Sequence, residues 1–240
     1  MSVYTSRKFS EVVEGNSYPG RGIIVGMTED ARYGVSAYFI MGRSSNSRNR
    51  VFVERDDALY TEAFDPSKLE DPSLIIYSPV KNIEGKLIVT NGNQTDTIYD
   101  GFVQNMTMQE ALLSREFEPD APNFTPRISA VAEAFTSGDF KYTMSILKSA
   151  DEEGTACNRY YYEYEAVAGL GHFIHTYESD GNPLPTFQGE PRRIQIPDTI
   201  EEFADEIWNS LDEDNKISLY ISYFNLVDES YEYKIINKNQ

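Results

Sequence analysis

Short β-branched and aromatic runs, broken every few residues by Gly, Pro, Asn or Asp, constrain this chain more than any other feature. Residues 22–27 (GIIVGM), 33–42 (YGVSAYFIMG), 50–54, 74–80 (LIIYSPV) and 86–92 read as strands in the first half, and residues 141–150, 159–169, 172–179 and 192–196 in the second. A hairpin at 216–226 and 230–236 closes the chain. Connections this short favour antiparallel pairing. Three helices interrupt the strands. Residues 107–117 begin with Thr107 and carry Glu110 three positions on, a capping-box pattern. Residues 126–138 start at Pro126, suited to a first helical position, and stop at Gly138, suited to a left-handed cap. Residues 199–211 put Ile200, Phe203, Ile207 and Leu211 on one face with acids opposite. This order predicts an α+β fold of largely antiparallel sheets covered by helices, in one domain over residues 1–240 with only a weak break near residue 151.

At 240 residues and 40% hydrophobic, the chain holds enough apolar material to build a core without a metal or a disulfide. Cys157 has no partner within the chain, and with His172 and His175 alone it is too little for a zinc site. The two histidines are three apart in one strand and face opposite sides. The N-terminus has no apolar signal-like core and no run nears the roughly 18 apolar residues of a membrane span, so a cytoplasmic location is the default expectation. A formal charge of −18 argues against nonspecific nucleic-acid or anionic-membrane binding. Small ligands remain, and a homo-oligomer is compatible with the sequence.

Against that acidic background, six of the twelve arginines lie between residues 21 and 55, whereas residues 194–240 hold none and eleven acids. The segment GRSSNSRNR joins two strands and carries Arg43, Arg48 and Arg50, with Ser45 and Asn46 as short neutral donors. Planar guanidinium forks suit a phosphate dianion, and Arg21 reaches the same place if its strand pairs with the next. A solvated charged loop is the plain alternative. In VTNGNQTDTI (89–98), Asn91-Gly92 alone reads as a hairpin turn, with the strand resuming after Asp96. Gln94, Thr95 and Asp96 exceed what a turn needs and suit a carboxamide or a ribose hydroxyl. The link between the first two helices holds Glu118, Asp120 and Arg127; facing a pocket, a desolvated Glu118 or Asp120 suits proton transfer, with Arg127 holding it or joining the anion site. The tyrosines of NRYYYEYEA read as ordinary half-buried strand packing.

YPGRGIIVG, GRSSNSRNRVF, LIIYSPVK, VTNGNQTDTI and NFTPRIS, in that order, resemble the archaeal-type IMP cyclohydrolase family, which closes the purine ring in the last step of IMP synthesis. The likeness is strongest over residues 18–135; a longer N-terminus and second half depart from the short family members. The resemblance implies a four-layer αββα sandwich similar to the N-terminal-nucleophile hydrolase fold, a purine-nucleotide substrate, and no cofactor or metal. In the implied reaction the carboxamide nitrogen of a formamidoimidazole carboxamide ribonucleotide (FAICAR) attacks the neighbouring formyl carbon, and water leaves. Arg21, Arg43, Arg48 and Arg50 are then expected at the phosphate and the developing oxyanion, and Tyr77 and Lys81 as donors to the formyl oxygen. Asn91, Asn93 and Asp96 would orient carboxamide and ribose, and Glu118 or Asp120 would move protons. Two readings compete: an amidohydrolase using Ser2 as N-terminal nucleophile, and a nonenzymatic purine-nucleotide-binding protein.

Overall fold

The computed structural model describes residues 4–55, 58–68, 76–133 and 139–240. Strands β1 (Arg21–Met27), β2 (Tyr33–Met41), β10 (Leu170–His175), β11 (Arg192–Gln195), β12 (Lys216–Asn225) and β13 (Tyr231–Asn237) form one sheet in the order β11-β10-β1-β2-β12-β13. Strands β3 (Val51–Arg55), β4 (Ala58–Glu62), β5 (Val80–Ile83), β6 (Lys86–Thr90), β7 (Arg127–Glu133), β8 (Lys141–Ser149) and β9 (Cys157–Glu165) form a second sheet in sequence order. Every pairing between these named strands is antiparallel, as the short connections imply.

Side-chain alternation along the strands divides the core into three layers. Ile23, Val25, Tyr38 and Ile40 of the first sheet meet Leu87, Val89, Ile128 and Met144 of the second between the sheets. The opposite face of the first sheet, through Ile24, Phe39 and Phe173, packs on Phe9 and Val13 of α1 (Phe9–Val13) and on Phe203 and Ile207 of α5 (Ile200–Ser210). The outer face of the second sheet, through Ile88, Val131 and Leu147, packs on Ile98 of α3 (Gln94–Val103) and on Met108 and Leu112 of α4 (Met108–Leu112). The capping box holds α4 as its spacing predicts: Glu110 N donates to Thr107 Oγ1 at 3.2 Å, and Thr107 N to Glu110 Oε2 at 2.7 Å. The helix ends at Leu112, well short of residue 117.

Three expectations are corrected. The helix predicted over 126–138 is strand β7 through Glu133. Its Ile128, Ala130 and Ala132 face the inter-sheet core while Val131 faces the helices. A strand buried on both faces loses polar alternation, and its alanines imitate a helical run. The hairpin predicted across Asn91-Gly92 is the entry to α3. Asn91 Oδ1 accepts from Ile128 N (2.9 Å) and Gln94 Nε2 (2.9 Å), and Thr90 Oγ1 lies 2.7 Å from Thr95 Oγ1, bonds that turn the chain into a helix. Ile98 and Phe102, four apart, then cover the sheet. Of the strand expected at 74–80, residues 74 and 75 lie outside the described residues, 76–79 are not strand, and β5 starts at Val80. Gly138 and Ser2 also lie outside the described residues.

The two histidines face opposite sides, as their spacing requires. His172 stacks on Tyr164 (3.7 Å between ring centres) with Nδ1 2.6 Å from Tyr142 Oη, and His175 packs on Phe173 and Phe187. Burial lowers both pKa values from 6.5 to about 4. A base whose folded pKa is depressed contributes stability above its unfolded pKa and loses it as pH falls through the folded one. Chemical unfolding should therefore show stability falling between pH 6.5 and about 4, by on the order of 3 kcal/mol per histidine, and His172→Phe should flatten that fall.

Candidate active site

Arg21 opens β1, and the antiparallel register places it opposite Ile40 near the end of β2. The loop leaving β2 therefore returns over it. That loop holds a one-turn helix, α2 (Ser45–Arg48), capped by reciprocal Ser44 and Ser47 bonds. Beyond it, Arg50 is 1% exposed, and its Nε donates to Ser47 O at 2.8 Å. Its Nη1 and Arg21 Nε are both buried and donate to no protein acceptor. Two guanidiniums thus carry unfulfilled donors in one enclosed place, an arrangement whose natural complement is an anion or a developing oxyanion.

Glu118 supplies the opposite charge from the segment between α4 and β7. It is 6% exposed, with its oxygen Oε1 3.9 Å from Arg127 Nη1. Arg127 Nη1 in turn donates to Gln94 Oε1 at 2.9 Å, and Gln94 is tied to Asn91. Burial raises the Glu118 pKa above its ordinary value, against the pull of Arg21, Arg127 and Arg50. Burial lowers that of Arg50, helped by the Arg21 charge. Burial works against Arg21 also, but Glu118 and the phenols of Tyr177, Tyr18 and Tyr77 leave its pKa raised. Tyr77, buried, bonds Tyr38 through their hydroxyls at 2.7 Å, and its pKa is raised by burial.

Arg21, Arg50, Glu118 and Asp120 border a pocket of about 310 Å³ that also touches Arg43, Asn46, Tyr18, Thr125, Tyr177 and Leu184. That volume falls at the lower end of the about 300–1,000 Å³ common for small-molecule sites. Asp120 accepts from Thr125 N at 2.7 Å and from the Thr125 hydroxyl, which also meets Tyr177 Oη at 2.5 Å. Arg43 lies over the Tyr18 ring and pairs with Asp180.

Other expected residues lie elsewhere. Ser45 is exposed on α2 and does not border the pocket. Arg48 points away, donating to Gly42 O (3.0 Å) and Asn215 Oδ1 (3.0 Å). Lys81 and Asp96 form an ion pair at 2.6 Å, with Lys81 also over the Tyr99 ring of α3; neither borders the pocket. Asn91 braces the backbone through Pro126 O and Ile128 N, and Asn93 precedes α3 within 3.4 Å of Arg115 Nη1. Tyr77 and Arg127 stand behind the lining, next to Arg50 and Glu118 respectively.

The sequence reading missed Tyr18, Tyr38, Thr125, Tyr177 and Leu184. Tyr177 carried one usable sign: it lies within the stretch 172–179 read as strand, two residues past the end of β10, and β10 pairs with β1 so that His175 sits opposite Gly22. Tyr177 N then donates to Pro19 O at 3.2 Å, beside Tyr18 and Arg21. This close approach depends on Gly20. Its φ is +81°, and a Cβ there would lie 2.2 Å from Thr176 Oγ1 and 2.6 Å from the Tyr177 ring. Gly20→Ala should cost about 1–3 kcal/mol in equilibrium unfolding and lower ligand affinity.

Fold and pocket define a class: an α+β protein of two antiparallel sheets, with a small pocket that sets paired buried arginines against a buried glutamate. The family model described as IMP cyclohydrolase-like protein matches residues 18–229. The IMP cyclohydrolase of Methanopyrus kandleri is 30% identical over 182 residues, which cover 71% of this chain and 89% of that protein. Those of Methanococcus aeolicus (32% identical) and Methanococcus maripaludis (35%) align over 50% and 48% of this chain, and over 60% and 57% of their own lengths. The chain belongs to the IMP cyclohydrolase-like family. Among the described residues no helix is long and apolar enough to cross a membrane, and no group of three or more His, Cys, Asp or Glu is placed to hold a metal ion.

Proposed function

We propose that this chain is an IMP cyclohydrolase, converting FAICAR to IMP and water in the Arg21–Arg50–Glu118 pocket. One observation carries the siting: two buried guanidiniums with unused N–H groups stand beside a buried carboxylate whose proton affinity is raised. Ring closure needs those two functions together. As the carboxamide nitrogen bonds to the formyl carbon, negative charge grows on the formyl oxygen and the nitrogen must lose a proton. The Arg21 and Arg50 guanidiniums, which border the pocket, meet the oxygen, with Tyr77 behind them, and Glu118 takes the proton. Glu118 hands that proton to the oxyanion, making a hydroxyl; the formamido nitrogen then gives up its own N–H proton, which passes to the hydroxyl, and water leaves as the C=N bond forms. Arg127 and Gln94 hold Glu118 in place. Arg43 with Asn46, at the open rim, suits the phosphate. The rigid pocket selects the rotamer in which amide and formyl groups face each other.

The layering, helices outside two packed sheets, supports the reading of a four-layer αββα sandwich similar to the N-terminal-nucleophile hydrolases. Tyr177 and Leu184 draw the second half of the chain into the pocket, in favour of one domain. The test is ultraviolet-monitored conversion of FAICAR to IMP by the purified chain. Turnover is expected, and folded protein that leaves FAICAR unchanged would overturn the assignment.

A further inference from the structure

Hydrogen-bond polarity in the pocket wall fixes what one of its phenols can offer. Both oxygens of Asp120 face Thr125: Oδ1 accepts from the Thr125 backbone N–H at 2.7 Å, and Oδ2 from the Thr125 hydroxyl. A carboxylate only accepts, and a threonine hydroxyl has one proton. That proton is committed to Asp120, so the 2.5 Å contact between Thr125 Oγ1 and Tyr177 Oη has one consistent direction, with Tyr177 donating. The Tyr177 hydroxyl hydrogen is thereby spent inside the wall. What remains for the pocket is a pair of lone pairs on Oη. Tyr177 is 1% exposed and its ring stacks on Tyr18, 5.9 Å away, so the phenol has little freedom to rearrange. Burial, with Arg21 opposing, pushes its pKa up to about 12, so the phenol keeps its proton through the neutral range.

We infer that Tyr177 is a specificity-determining residue whose oxygen accepts an N–H from the bound ligand, with Thr125 and Asp120 setting that polarity. The inference rests on the proposed substrate, where the N–H is that of the carboxamide. A carboxylate in the same place brings only acceptors, and lone pairs then face lone pairs. Tyr177 thus reports whether the carboxylate of a precursor has already been converted to an amide, and it holds the nucleophilic nitrogen by a hydrogen that does not have to leave.

The experiment titrates aminoimidazole carboxamide ribonucleotide and its 4-carboxylate analogue into the wild-type chain and into Thr125→Val. Valine has nearly the shape of threonine, leaves the charge unchanged and frees the Tyr177 proton to turn into the pocket. The affinity ratio should move toward the carboxylate by about tenfold or more. The shift should vanish when Tyr177→Phe is added. A folded Thr125→Val variant with an unchanged ratio, or a shift that persists with Tyr177→Phe, would overturn the inference. If Thr125→Val does not fold, Asp120→Asn with and without Tyr177→Phe reads the same polarity, because the amide can donate to Thr125 and reverse the chain. Its loss of charge alone would act equally in both backgrounds. Wild-type binding of the carboxamide without the ratio shift defeats the inference alone; binding of neither nucleotide defeats the substrate reading and the inference with it.

Discussion

Glu118→Gln should reduce kcat/KM for FAICAR cyclisation by about 10²- to 10⁴-fold, the range typical for losing a positioned proton acceptor. Glutamine keeps the shape and an oxygen within reach of Arg127 but cannot take the amide proton. The pH dependence separates this role from a structural one. Burial raises the Glu118 pKa above 4.5, so the group gains its proton at higher pH than an exposed glutamate. A base is lost when protonated, so activity should fall on acidification with a limb above pH 4.5. That limb should be absent from the residual activity of Glu118→Gln. A variant with near wild-type turnover would place proton transfer elsewhere, with Asp120 the nearest other acid on the pocket wall.

Arg50→Met should lower kcat/KM by about 10²- to 10³-fold, as expected for removing a donor to a developing oxyanion, without lowering stability. The second half of that statement is the sharper one. Arg50 is enclosed, near a like charge on Arg21, and has a donor that no protein acceptor uses. Burying a cation in that state disfavours the fold, and burial and Arg21 both depress its pKa. Methionine fills much of the same volume without the charge. Its melting temperature should equal or exceed the wild-type value while activity collapses, the pattern of a residue retained for chemistry. A large drop in both would instead make Arg50 a structural cation.

The strand framework was legible because its physics is local. Runs such as GIIVG and SAYFI alternate between two cores, and glycine, proline and asparagine mark where they stop. Strand β7 was not legible: a central strand with small residues on the inner face and helix-covered residues on the outer one resembles a short helix in sequence. The start of α3 was hidden differently, because Asn91 acts through Ile128 and Pro126, more than thirty residues away.

The site divides along the same line. Charge concentration marked the segment holding Arg21, Arg43 and Arg50, but not which arginine is buried. Arg48 and Arg50 are two residues apart with the same chemistry; one turns to Asn215 at the surface and the other enters the core. The one-turn helix α2 makes that choice, set by the Ser44–Ser47 capping box. Tyr177 and Leu184 reach the pocket through pairing of β10 with β1, strands 145 to 153 residues apart in the chain. Lys81 and Asp96 share an ion pair that two short polar motifs, read separately, do not announce.

Because Arg48 and Arg50 are so close in sequence and so different in place, the most direct measurement is IMP formation by the wild-type chain, Arg48→Ala and Arg50→Met, side by side. Siting the reaction at the buried pair predicts that Arg48→Ala stays within about threefold of wild type, since an exposed arginine at a loop carbonyl contributes little, while Arg50→Met loses at least about 10²-fold. Full activity in a folded Arg50→Met, or equal losses in the two variants, would contradict it.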